Sequence, residues 1–131
     1  MLSTSQVVAA RNAFADLYQH KATIYEWQKT INPVDHSTDF GEVAVITDEP
    51  CRIDFDDSET GTETKGVVVA PQTITLFIRP DLVIKSGSKI KVTYTDLVSG
   101  QEITKDYSQA GEPIPYNTHQ EIPLKLFDKY V

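Results

Sequence analysis

Cysteine is nearly missing from this chain: Cys51 is the only one. An internal disulfide is therefore excluded, and so is a thiolate metal cluster. Basic residues are outnumbered, with 12 Lys and Arg against 19 Asp and Glu, so the formal net charge is -7. The pI is about 4.8. Such a chain gains nothing from the counterion release that drives binding to phosphate backbones, which argues against direct grip on nucleic acid. Long apolar runs are absent too, and none approaches the roughly 18 residues of a membrane span. The start, MLSTSQVVAARNAF, lacks a basic stretch followed by an apolar one, so no secretory signal is expected. These absences lead us to expect a soluble protein made in a reducing cytoplasm.

Motifs that carry chemistry are missing as well. Neither GxGxxG nor GxxxxGK occurs, so no phosphate cradle is expected. His20, His36 and His119 form no HxxxH or HExxH pair, and a zinc site would have to be assembled from remote loops. The acidic stretch from Asp56 to Glu63 lacks the D-x-D-x-D-G spacing of a calcium loop. Cys51, in EPCRIDF, alternates with Ile53 and Phe55 and reads as a small core residue. No small-residue elbow supports it as a nucleophile. Trp27 with Tyr25 reads as a cross-strand pair or core anchor, the alternative being an aromatic platform. Arg79 and Asp81 around Pro80 read as a turn with a local ion contact. The expectation is no catalytic residue, no cofactor and no metal.

What is present is a chain of 131 residues, 40% hydrophobic, enough for one domain with a real core. Ser3 to Gln19 is the helix candidate: Ser3, Thr4 and Ser5 offer N-cap oxygens, and Val7, Val8, Ala10, Phe14, Leu17 and Tyr18 recur near the helical period. From residue 21 the period becomes that of strands. Strands are expected at 22–28, 42–47, 51–55, 73–78, 82–84, 89–95 and 101–107, with Gln101–Tyr107 returning through a Ser99-Gly100 hairpin turn. Ile31 to Phe40, rich in turn formers, is expected to be a loop.

Two segments stand apart. Asp56 to Gly66 (DDSETGTETKG) sets Asp56, Asp57, Glu59 and Glu63 against Lys65 alone and holds Gly61 and Gly66. It has no large apolar residue, so a long mobile inter-strand loop is expected, extending to residue 69. The second is the ending, GEPIPYNTHQEIPLKLF. It reads as an extended arm stiffened by Pro113, Pro115 and Pro123, or as a last strand over 121–127. Pro123 would confine that strand to an edge or a bulge. The fold expected is mainly β: a small antiparallel barrel or sandwich over 21–110, an N-terminal helix over 1–20, and the arm or last strand over 111–131.

The order ATIYEW, PCRIDF, a polar loop, TLFIRPDLVIKSGSKIKV, a hairpin and PIPYNTHQEIPLKL resembles the head-closure (stopper) proteins of long-tailed bacteriophages, a family of head–tail connectors often labelled minor capsid proteins. The resemblance spans residues 21–127. It implies a structural virion protein, made in the bacterial host cytoplasm and placed at the virion neck. There it would form a ring of its own copies below the portal or adaptor ring, close the channel after DNA packaging, and dock the tail-completion or tail-tube protein. Packaged DNA would pass nearby without specific binding, and no membrane is involved. The implied channel-gating residues are Asp56, Asp57, Glu59, Gly61, Glu63, Lys65 and Gly66, whose negative charge would repel phosphate. The expected docking arm holds Ile114, Tyr116, His119, Ile122 and Leu124, with His119 a packing or hydrogen-bonding residue. The competing readings are a tail-completion or adaptor protein of the same particle, a small β-barrel ligand-binding module, and an enzyme using His119 with an acidic partner.

Overall fold

The computed structural model describes residues 3–57, 62–64, 67–69 and 72–130; at 56, 57, 62–64, 67–69 and 72 it describes the backbone alone. Among the described residues the single helix, α1 (Thr4–Asp16), opens on a capping box. The Gln6 N–H donates to Ser3 Oγ at 3.2 Å, and the Ser3 N–H donates to Gln6 Oε1 at 2.8 Å. Those two bonds satisfy amides that a helix start otherwise leaves open. No residue of α1 is buried, and the helix ends at Asp16, short of the expected Gln19.

The rest is strand: β1 (His20–Ile31), β2 (Thr38–Asp57), β3 (Thr62–Thr64), β4 (Val67–Val69), β5 (Gln72–Ile78), β6 (Lys89–Thr95), β7 (Glu102–Gln109), β8 (Ile114–Pro115) and β9 (Gln120–Leu126). The order β5-β2-β1-β6-β7-β9 returns on itself through β9–β5, so six strands form a closed ring. Every pairing in it is antiparallel, which an even number of staves permits. The expected barrel is the fold. Closure removes the open edges within the ring itself.

Alternation fills the interior. Ala22 and Ile24 of β1, Cys51 and Ile53 of β2, Leu76 and Ile78 of β5, Ile90 and Val92 of β6, Tyr107 of β7, and Ile122 and Leu124 of β9 all point inward. Ile84 caps one end. Burying a side chain of this size is worth about 1.5–3 kcal/mol.

Four details differ from the sequence reading. The strands expected at 42–47 and 51–55 are one, β2. Its DEP segment makes no turn: Asp48 takes φ +48° and the register shifts opposite Ala22–Tyr25, so the extra residues are absorbed as bulges. The loop expected at Ile31–Phe40 shrinks to residues 32–37. Asn32 Oδ1 accepts from the Val34 N–H, Asp35 Oδ1 from the Ser37 N–H, and His36 takes φ +58°.

Residues 82–84 are not a strand. Side-chain amides bond this segment's carbonyls instead of a ladder: Gln120 Nε2 donates to Arg79 O (3.0 Å) and Leu82 O (2.8 Å), and Gln109 Nε2 donates to Ile84 O (3.0 Å). The alternation of Leu82 and Ile84 reflects inward packing on the barrel end. Finally, Pro123 lies in a strand paired on both sides. Its carbonyl accepts from the Ala110 N–H at 2.8 Å. A strand residue's N–H and C=O point the same way. The missing donor therefore faces the break between β7 and β8, where the ladder is interrupted anyway.

Candidate functional site

Between β2 and β5 the chain makes a long excursion at the place expected for the gating loop. Asp56 and Asp57 end β2 and Glu63 lies in β3, which pairs antiparallel with β4. Glu59, Gly61, Lys65 and Gly66 lie outside the described residues.

The expected docking arm divides. Ile122 and Leu124 belong to the barrel's own core. They are spent inside this chain and cannot fill a neighbour's pocket, because the inward face of β9 alternates with Glu121, Pro123 and Lys125. Ile114 and Tyr116 remain about half exposed. His119 is buried. A turn closed by the Tyr116 N–H to His119 O bond (2.8 Å) sets its imidazole between two rings. Phe14 of α1 stacks on one at 4.4 Å and 15°, and Tyr116 at 4.8 Å and 13°, with Phe77 tilted at 5.7 Å. Glu121 Oε2 lies 3.3 Å from Nε2 and Thr118 Oγ1 lies 2.9 Å from Nδ1. An ionised carboxylate only accepts, so Nε2 carries a proton. Both faces and both nitrogens are occupied. Together with Arg11 Nε donating to Asn117 O at 2.7 Å, this cluster clamps the C-terminal half of α1 to the barrel.

The other histidines serve locally. His20 Nδ1 accepts from the Ile53 N–H at 3.0 Å, and burial together with the nearby Arg52 lowers its pKa. His36 sits in the 32–37 turn. Burial pushes the Cys51 thiol up to about 12, so it stays protonated and packs as an apolar group. Arg79 pairs chiefly with Glu49 at 2.8 Å and only loosely with Asp81 at 3.7 Å.

The largest feature missed by the sequence reading is an arm. β6 pairs with β1 only through Tyr25, and β5 pairs with β2 only from Arg52 onward. Beyond those limits, among the described residues, Glu26–Ile31 and Thr38–Val43 pair with each other alone. One face carries Tyr25, Trp27, Lys29 and Ile31 opposite Ala44, Glu42, Phe40 and Thr38. Its base is covered: Lys89 Nζ sits 4.9 Å from the Tyr25 ring centroid and 2.6 Å from Glu42 Oε1, and Tyr130 packs 5.1 Å from Trp27 and 5.0 Å from Phe127. The tip is bare, with Ile31 65% exposed, Val34 88% and Phe40 62%. The extent of β6 was visible in the sequence; its register, with Lys89 opposite Tyr25, was not.

Beside the arm's base lies an open cleft of about 440 Å³, lined by Glu26, Trp27, Lys85, Ser86, Ser88 and Tyr130. It exists because the Lys85–Ser88 turn, with Gly87 at φ +87°, carries the chain away from β1 just where β6 would have continued. Trp27 is half exposed here and packs against Tyr130, a partner the sequence reading did not name.

Among the described residues no helix is long and apolar enough to cross a membrane. Comparison of the chain with protein-family models, with curated proteins and with solved structures finds no match.

Proposed function

We propose that this chain is a structural, non-enzymatic protein of a long-tailed phage neck, which closes the portal channel after DNA packaging and offers the docking surface for the tail. The observation that carries the reading is a closed six-stranded barrel whose β2–β5 connection is a long acidic excursion. In the resembled family the channel loop leaves its barrel at that connection. Its carboxylates would repel phosphate, so a gate built from them would not hold on to passing DNA. The partners are then a portal or adaptor ring on the head side, a tail-completion or tail-tube protein on the other, and further copies in a ring, within a virion assembled in the host cytoplasm. An adaptor or tail-completion role in the same particle is the nearest alternative. The Trp27–Tyr130 cleft favours a second reading, a ligand-binding barrel. An amber codon early in the gene separates them. Head closure predicts packaged heads that leak DNA beside free complete tails; normally joined particles would remove the role.

A further inference from the structure

The arm and the cleft are both left incomplete by this chain. Six residues, Glu26–Ile31, at about 3.3 Å each carry the arm about 20 Å from the cleft at its own base. Ile31, Val34 and Phe40 are therefore bare at the far end, and the arm cannot fold back on its own starting point. The cleft offers what such a tip needs. Trp27 and Tyr130 give an apolar wall, and the unpaired edge of β1 above Tyr25 gives a row of main-chain groups. An extended strand supplies main-chain donors and acceptors for that edge; a compact small molecule does not match the row. The charges also correspond. Lys85 on the cleft's rim pairs at 3.8 Å with Glu26 yet stays exposed, and Asp35 and Asp39 near the arm's tip are exposed as well.

We propose that the β1–β2 arm tip of one copy docks into the Trp27–Tyr130 cleft of the next. Two different patches meet, so the contact is heterologous and closes by rotation into a ring. The inference rests on the ring-forming reading above and identifies the surface that forms it.

Two measurements test it on the full chain. Cys51 is buried, so introduced cysteines report alone. Val34→Cys with Ser86→Cys, treated with a short bis-maleimide, should give a ladder of multimers as concentration rises. The same reaction on isolated particles should give the ladder within the neck. Either single variant, or Val34→Cys with Lys105→Cys, should give none. Efficient dimers from Val34→Cys alone would mean a two-fold tip-to-tip contact and overturn the proposal. So would a cross-link only to a chain of different mass. Trp27 is the only tryptophan, so its emission reads the cleft directly. It should shift to the blue on self-association, and Val34→Asp should abolish the shift. Emission unmoved by concentration but moved by an added oligosaccharide would assign the cleft to a ligand and overturn the proposal. If the amber experiment fails while the ladder appears, the contact stands and the neck role falls. If the neck role holds and necks give no ladder, the contact falls alone.

Discussion

Ala22 and Ile24 are wholly buried, whereas Trp27 and Ile31 on the same strand are 52% and 65% exposed. The inner half of β1 alternates apolar and polar residues, the outer half does so with Lys29 breaking the apolar face, and both pair with β2. They differ in the neighbour on the other side. Up to Tyr25 the strand has β6 beside it and a barrel interior to face; beyond Tyr25 it has neither. Alternation thus specifies a face, not what covers it. The covered half holds the fold together. The uncovered half leaves its apolar residues at the surface, where the proposed contact with another copy would cover them.

Among single substitutions, the largest expected effect tests the covered half. Ile24→Ala should cost about 2–5 kcal/mol, the range for truncating a well-packed core residue. Ile31→Ala, seven residues on, should stay within about 0.5 kcal/mol, as exposed positions usually do. Denaturant midpoints of the two variants measure this directly, and equal losses would erase the distinction between the halves. Removing Thr118–Val131 should be more drastic still. It deletes β9, opens the ring and strips Ile122 and Leu124 from the core, so no cooperative unfolding transition should remain.

An arm-shortened chain sharpens the contrast. Gln28 and Gly41 are directly paired, so residues 29–40 can be replaced by Asn-Gly, a dipeptide suited to a two-residue hairpin turn. Its unfolding midpoint should lie much closer to that of the parent chain than to that of Ile24→Ala, and the concentration-dependent shift of Trp27 emission should vanish.

A smaller effect comes from pH. The neutral His20 ring accepts the Ile53 N–H, and burial and Arg52 hold its pKa below 6.5. The unfolded chain therefore takes up the proton first on acidification. This contribution to stability is in place above 6.5 and is lost as the pH falls below it. Melting temperature should drop between about pH 7.5 and about pH 5.5, and His20→Gln should flatten that drop. The smallest effect belongs to Ser3→Ala. It removes a cap worth about 0.5–2 kcal/mol to the helix. Because α1 buries no residue, circular dichroism should report lost helix while the barrel's transition barely moves.

Much of the barrel was legible because its strands carry clean alternation between strong turns. Lys89–Thr95 and its hairpin to β7 are the clearest case, with Gly100 at φ +72° where Ser99-Gly100 marks the turn. The single β2 was not legible, since Asp-Glu-Pro has the composition of a turn and only the pairing with β1 makes it a bulge. Leu82 and Ile84 misled in the opposite sense, because inward alternation can arise from plugging a barrel end as well as from a ladder. His119, expected as a packing or hydrogen-bonding residue of a docking arm, stacks on Phe14, which lies on a remote helix that no local pattern connects to it. The arm stayed hidden for the same reason: that Lys89 pairs with Tyr25 is a fact about two distant segments, not about Glu26–Ile31.

The most direct test supplies the arm-shortened chain in trans to the amber phage. A folded, soluble protein that fails to restore infectious particles, leaving packaged heads that leak DNA, is the expected result. Full restoration of joined, infectious particles by a chain lacking residues 29–40 would contradict it.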